Sequence, residues 1–221
     1  MNLPLFVFSG IEKSFSGKKI LCGTNLSLYP GKCILLSGKN GVGKTTLLKI
    51  IAGLETPESA EIEYDGRIND WKKILRKVRK EIIYLHQQPI MFSSSVESNV
   101  AYGLRFSSLN NQQRCESVKE AIEWAGLSNV AKIQAKTLSG GVQQRVAFTR
   151  AWILKPKVLL LDEPMSNMDY ESRKQTFLLL EKVKSTGMSL VITSHFLNYF
   201  DDLADQHFRL MNGVLDLTNN Y

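Results

Sequence analysis

The stretch Gly38–Thr45, GKNGVGKT, decides how the rest of the chain is read. Its glycines, lysine and threonine fall in the spacing G-x-x-x-x-G-K-T, the pattern of a loop that wraps phosphate groups. Gly38, Gly41 and Gly43 let the backbone turn tightly and approach an anion without side-chain obstruction. The amides from Gly41 to Thr46 are expected to point inward, beside the positive end of the helix that follows. Lys44 supplies a point charge for terminal phosphates, and Thr45 a hydroxyl for Mg²⁺. The expected phosphate-binding set is Gly38, Lys39, Asn40, Gly41, Val42, Gly43, Lys44, Thr45 and Thr46.

The flanks fit that reading. Upstream, KCILLSG (residues 32–38) is a compact apolar run ending in glycine, as a buried strand does. Downstream, KTTLLKIIAGL has helical spacing and stops near Gly53 and Pro57. The first 28 residues carry short apolar runs broken by SGKK and CGTN, which predicts strands and turns. AEIEYDGRI predicts a hairpin, and IIYL a further strand. WKKILRKVRKE, residues 71–81, puts Trp71, Ile74, Leu75 and Val78 on one helical face and its cations on the wet one. From Pro89 to about Pro156 the sequence turns polar and helical, as an inserted subdomain would. KVLLLDEP and SLVITSH then add two apolar strands. Strands alternating with helices predict an α/β core with a mostly parallel sheet.

VLLLDE brings two carboxylates to the end of a strand. Asp162 is placed to hold Mg²⁺ through water, since that ion takes few protein ligands. Glu163, one residue on in an extended chain, points away from Asp162 and towards an attacking water. A second glycine pair stands in LSGGVQQR, Leu138–Arg145, without any lysine. Ser139 is a candidate N-cap, with the amides of Gly140 and Gly141 exposed at the start of a helix expected to run to Leu154.

In order along the chain, the phosphate loop, QQP, LSGG, LLLDEP, SNMD and SH resemble the ATP-binding-cassette ATPases, the motor subunits of membrane transporters. The resemblance covers essentially the whole chain, and LSGG is peculiar to this family among phosphate-loop proteins. It implies a P-loop NTPase core, an N-terminal antiparallel β subdomain and an inserted helical subdomain. The implied layout is one domain, residues 1–221, with its ATP-binding core in 1–88 and 157–221 and its helical signature part in 89–156. By the same resemblance Phe15 stacks on adenine; a place in the core is the alternative for that side chain. Gln87 reaches Mg²⁺ and the water, although Gln88 offers the same chemistry one residue on; the spacing to Tyr84 and Pro89 favours Gln87. Asp169 lies on the loop that crosses to a partner subunit, and His195 contacts the γ-phosphate. Ser139, Gly140 and Gly141 face the phosphate loop of a second copy, so two ATP molecules and Mg²⁺ join a dimer that hydrolysis releases.

The resemblance further implies catalysis by Glu163, His195, Lys44 and Gln87, with Thr45, Gln87 and Asp162 around the metal. The implied partners are a transmembrane permease and a second ATPase subunit, in a homodimer held peripherally on the cytoplasmic face of the inner membrane. The residues after Gln87, PIMFSSSVESNVAYGLRF, lie where the family receives a coupling helix. SVESNVAYGLR leans faintly towards importers of small polar solutes or inorganic ions. With Tyr221 as the last residue, no appended regulatory domain is expected. Four positions depart from the family pattern: Val142, Asn167, Phe196 and Ala60.

Composition bounds the alternatives. A net charge of +7 permits nucleic acid or anionic lipid as a partner. An ATPase of the same family acting on DNA or ribosomes usually carries two cassettes or a long coiled coil before the signature. The short interval from Gln87 to Leu138 is that of a transporter, and no nucleic acid is expected. A kinase or GTPase of another class conflicts with LSGG. No apolar run reaches the length of a membrane span, and the N-terminus lacks the basic start of a signal peptide. Cys22, Cys33 and Cys115 have neither metal nor disulfide spacing, as in a reducing cytoplasm.

Overall fold

A computed structural model describes residues 3–105 and 107–218; Phe106 and Tyr221, on which two of the expectations above fall, lie outside them. The chain begins with two long strands, β1 (Phe6–Phe15) and β2 (Lys18–Leu28), paired antiparallel across the Ser16–Gly17 turn. β3 (Cys33–Ser37) is buried at all five positions and runs into the phosphate loop. α1 (Lys44–Ile51) follows, burying Leu47, Leu48, Ile50 and Ile51. β4 (Ser59–Tyr64) and β5 (Arg67–Asn69) form the expected hairpin. Its turn residues Asp65 and Gly66 both have positive φ, 55° and 69°, the conformation for which Asp-Gly is selected. α2 (Trp71–Glu81) begins at Asp70, whose carboxylate accepts from the amides of Lys72 and Lys73. β6 (Ile82–Leu85) comes next.

Three helices occupy the middle of the chain: α3 (Val96–Ala101), α4 (Asn111–Trp124) and α5 (Gly140–Trp152). Ser95 caps α3, and Asn110 with Gln113 forms a capping box on α4. α5 stops at Trp152, two residues short of the expected Leu154; Lys155, at φ 51°, cannot continue a right-handed helix. β7 (Val158–Asp162), α6 (Tyr170–Ser185), β8 (Ser189–Thr193), β9 (Gln206–Met211) and β10 (Val214–Leu217) complete the order.

The strands form two sheets, β2-β1-β4-β5 and β10-β9-β3-β8-β7-β6. In the second sheet β3 lies parallel to both β8 and β9, and β7 parallel to β8, while β10 returns antiparallel. Every residue of β3, β7 and β8 is buried, as expected of strands covered on both faces. Register then sets the site: Leu36 pairs with Thr193, and Thr193 pairs with Asp162. One row across the carboxyl ends of three strands therefore carries the start of the phosphate loop, a threonine and a carboxylate. Open α/β sheets bind ligands at such ends.

The chain divides into two compact units. The first runs to Tyr84 and takes in Lys157–Glu163 and the residues from Lys184 onward; the second holds Leu85–Pro156 and Pro164–Val183. Compared with the 1–88, 89–156 and 157–221 layout, the second unit also includes 85–88 and 164–183, and a bond from Gln87 Nε2 to Ser166 Oγ (3.2 Å) ties those two pieces together. Within this unit Trp124 stacks on Trp152 at 4.0 Å between ring centroids, joining α4 to α5. Asn99, fully buried on α3, holds the segment from Phe92 to Ser95 by bonds to both Phe92 backbone groups and to Ser94 and Ser95.

Candidate functional site

In the first unit, the phosphate loop is shaped by its glycines. Gly38 (φ 146°) and Gly43 (φ 116°) lie in the region that L side chains avoid, and a Cβ on either would also collide with a neighbour. On Gly38 it would stand 2.6 Å from the Leu210 carbonyl, and on Gly43 2.7 Å from Ile20 Cγ2. Gly41 (φ 74°) has nothing within 4 Å of such a Cβ. Gly43 occupies the N-cap of α1 without a side-chain cap, and the first turn contains no acid. The helix thus keeps its positive end and its amides for an external anion. The Lys44 ammonium is buried and lies over the loop, donating to the carbonyls of Gly38 (2.7 Å) and Lys39 (3.3 Å).

Asp162 is buried and accepts from three hydroxyls: Thr45 Oγ1 at 2.7 Å, Thr193 Oγ1 at 2.7 Å and Tyr84 Oη at 2.9 Å. Burial, with the Asp162 charge beside it, pushes the Tyr84 phenol above its usual range. Thr193 and Tyr84 were not among the expected site residues. The signal for Thr193 was a polar residue at the end of an all-apolar strand; Tyr84 carried none, because β6 meets Asp162 only in the folded sheet.

Glu163 corrects one expectation. The strand ends at Asp162, and Glu163 takes a left-handed conformation (φ 48°), so its direction does not follow from strand alternation. Its amide donates to Thr193 Oγ1 (2.9 Å), which fixes the turn. The carboxylate lies against His195: Oε2 accepts from the His195 amide (3.3 Å), and Nε2 stands 3.1 Å from Oε1. Gly38, Lys39, Asn40 and His195 also line an open cleft of about 610 Å³ with His207 and Arg209, whose positions had no motif to announce them. Phe196, the departure after His195, packs edge-on against Tyr199. Phe15 is not a core residue: it is 46% exposed at the end of β1, with the Lys13 ammonium 4.9 Å from its ring centre.

The remaining expected residues lie in the second unit. Gln87 is exposed and bonded to Ser166, whereas the Gln88 amide donates to His86 Nδ1. Ser139 occupies the N-cap position of α5, but its hydroxyl makes no capping bond, contrary to expectation. Gln143 instead reaches back to the carbonyls of Lys136 and Leu138. A Cβ on Gly141 would stand 2.4 Å from Ser172 Oγ; one on Gly140 would meet nothing. Asp169 has a structural task that its motif did not reveal. Its carboxylate accepts from the amide (2.7 Å) and hydroxyl (3.0 Å) of Ser172, closing the first turn of α6. Those bonds hold its pKa below the ordinary aspartate value. Asn167, another departure, has φ 57°, a conformation that asparagine tolerates better than apolar side chains do.

This fold defines a P-loop NTPase of the ATP-binding-cassette type. The structure of cbiO1 from Clostridium perfringens, described as part of the ABC transporter complex cbiONQ, superposes with a TM-score of 0.89 at 27% identity, covering 100% of this chain and 89% of that one. The sequence pattern of the ABC transporter family matches residues 21–166, and the chain belongs to that family. It is 36% identical to an Fe(3+) ions import ATP-binding protein, FbpC, of Pasteurella multocida, over 90% of this chain and 55% of the relative. It is 34% identical to an energy-coupling factor transporter ATP-binding protein, EcfA1, of Thermotoga maritima, over 96% of this chain and 81% of that protein. The chain thus spans little more than half the length of the first of these curated relatives. Among the described residues no helix is long and apolar enough to cross a membrane.

Proposed function

We propose that this chain is the ATP-binding and ATP-hydrolysing motor subunit of a membrane importer, working as a homodimer on a separate permease. The observation that carries the hydrolytic part is the buried Glu163 carboxylate, held against His195 one residue after Asp162, in the unit that bears the phosphate loop. A carboxylate fixed in that place suits the proton of an attacking water. The reaction breaks the bond between the γ-phosphorus and the β,γ-bridging oxygen of ATP as the water oxygen bonds to phosphorus. The water's proton passes towards Glu163, and ADP and inorganic phosphate leave.

The other residues position and neutralise. Lys44 and the amides at the head of α1 stabilise charge on the phosphates, largely a matter of placement in this class of reaction. His195, against Glu163, orients the carboxylate and contacts the γ-phosphate. Phe15, exposed, offers its ring to adenine. Thr45 and Asp162 form an oxygen pair suited to Mg²⁺, which takes its other ligands from phosphate and water. Among the described residues no three His, Cys, Asp or Glu side chains converge as a protein-built centre would require. When bound, Mg²⁺ would supply charge neutralisation at the phosphates. Ser139, Gly140, Gly141 and Asp169 serve the site of the second copy.

The permease is received at the exposed side chains of Ile90, Phe92 and Tyr102 in the helical unit. The Phe92 and Tyr102 rings meet at a tilt of 42° with centroids 4.4 Å apart, and Arg150 fixes the patch by donating to the Ile90 carbonyl and lying over the Phe92 ring. A cysteine at Ser93 is expected to crosslink to the permease in the assembled complex. We place the cargo among small polar solutes and inorganic ions, in keeping with relatives named for import, and the chain peripherally at the cytoplasmic face of the membrane.

The test is Glu163→Gln. ATP binding should persist, hydrolysis should fall by roughly 10²–10⁴, and ATP should shift the protein to a dimer on size-exclusion chromatography. Hydrolysis at the parent rate would overturn the assignment.

A further inference from the structure

The cations of this chain are concentrated in one element. α2 carries Lys72, Lys73, Arg76, Lys77, Arg79 and Lys80 against Glu81 alone, so that helix supplies a net +5 of the chain's +7. At 3.6 residues per turn all six cations fall on one side, while Trp71, Ile74 and Val78 on the other are buried. Two of the six are engaged: Lys77 pairs with Glu81 at 2.7 Å, and Arg79 donates to the Gly53 carbonyl. Lys72, Lys73, Arg76 and Lys80 are exposed and hold no ion-pair partner among the described residues.

The head of the helix adjoins an apolar edge. β5 is the outer strand of its sheet and presents Arg67 and Ile68 to solvent, Ile68 at 72% exposure. Ile68, Trp71 and Lys72 line one open cleft with Glu58, Glu61 and Asp70. Glu58, Glu61 and Asp70 are the opposing charges there; Asp70 accepts from the Lys72 amide and Glu58 from Ser14.

We propose that the exposed face of α2, with Arg67 and Ile68 at the adjoining edge, is a contact surface for anionic lipid headgroups. Four unpaired cations on one face match a negatively charged plane, and an exposed isoleucine beside them suits an interface with an apolar interior. A nucleic-acid backbone would match the cations but leave Ile68 unused. The choice of a lipid surface rests on the reading of the chain as a subunit that works at a membrane.

The isolated chain, without any permease, is sedimented with vesicles of phosphatidylcholine, with and without phosphatidylglycerol. Binding is expected only with phosphatidylglycerol. It should be strong near 0.1 M salt and lost near 1 M, where the screening length drops from about 10 Å to about 3 Å. Replacing Lys72, Lys73, Arg76 and Lys80 by Gln should weaken binding by more than about 100-fold, at roughly fivefold per cation. Ile68→Ser should weaken it less. Replacing Lys18, Lys19, Lys119 and Lys136 by Gln removes the same charge elsewhere and should leave most of the binding intact. Equal loss in both quadruple variants, absence of binding by the parent chain, or tighter binding to duplex DNA than to the vesicles would each overturn the proposal. Failure here with ATP-driven dimerisation intact rejects the surface and leaves the motor reading standing; failure of dimerisation alone rejects the motor reading.

Discussion

Two helices in this molecule begin on glycines, and they do so for different reasons. At α1 the loop's own geometry demands them: Gly38 and Gly43 have φ values closed to other residues, and both lie against the chain. At α5 neither glycine of the signature has a positive φ. Gly141 is needed because Ser172 lies against it, while a Cβ on Gly140 would meet none of the described residues within 4 Å. The first turn also differs in charge. α1 brings Lys44 over its loop, whereas α5 offers amides, the Ser139 hydroxyl and no cation. α1 thus carries the loop, amides and cation for phosphate, while α5 presents donors that the described residues do not use, as the partner's half of a shared site would.

Substitutions at the two helix starts should act differently. The largest effect is expected at Lys44: Lys44→Ala should cut ATP hydrolysis by at least about 10²–10³, as loss of a charge-stabilising donor does. A steady-state assay with phosphate detection checks this, and near-parent activity would remove the basis for placing the phosphates at α1. Next come the signature glycines. Gly141→Ala should destabilise the protein by about 1–3 kcal/mol through overpacking, with recovery in the Gly141→Ala, Ser172→Gly double variant, read by chemical denaturation. Gly140→Ala should leave stability unimpaired but weaken ATP-driven dimerisation of the Glu163→Gln protein. If Gly140→Ala dimerises as well as its parent, the shared-site reading of α5 fails.

A smaller difference separates two serines at N-cap positions. Ser95 accepts from the Ser98 amide, so Ser95→Ala should cost about 1 kcal/mol. Ser139 makes no such bond, so Ser139→Ala should leave the melting temperature unchanged while weakening the ATP-dependent dimer. The smallest effect is expected at Asp169. Its folded-state pKa is depressed by the Ser172 bonds, so its contribution to stability is present above the ordinary aspartate pKa of 3.8 and is lost as pH falls through the lower folded value. Melting curves of Asp169→Ala and parent should therefore differ slightly at neutral pH and converge in acid.

Much of this site was legible because its chemistry is contiguous in sequence. GKNGVGKT fixes loop, lysine and helix start within eight residues, and LLLDE delivers its carboxylates at a strand end. The buried strands were legible as well, since apolar runs covered on both faces need no partner to be recognised. What sequence order could not supply was convergence. Thr193 and Tyr84 meet Asp162 only through sheet order and register, and Asp169 became a helix cap only where α6 began. At Glu163 the expected extended backbone gives way to a left-handed turn, so strand alternation does not set the side chain's direction. Fold class, phosphate loop and signature were readable along the chain, because each is a local pattern of backbone freedom and charge. Which signature glycine the fold consumes and which donors it leaves free emerged on folding, because close approach and hydrogen-bond satisfaction belong to pairs of residues far apart in the chain.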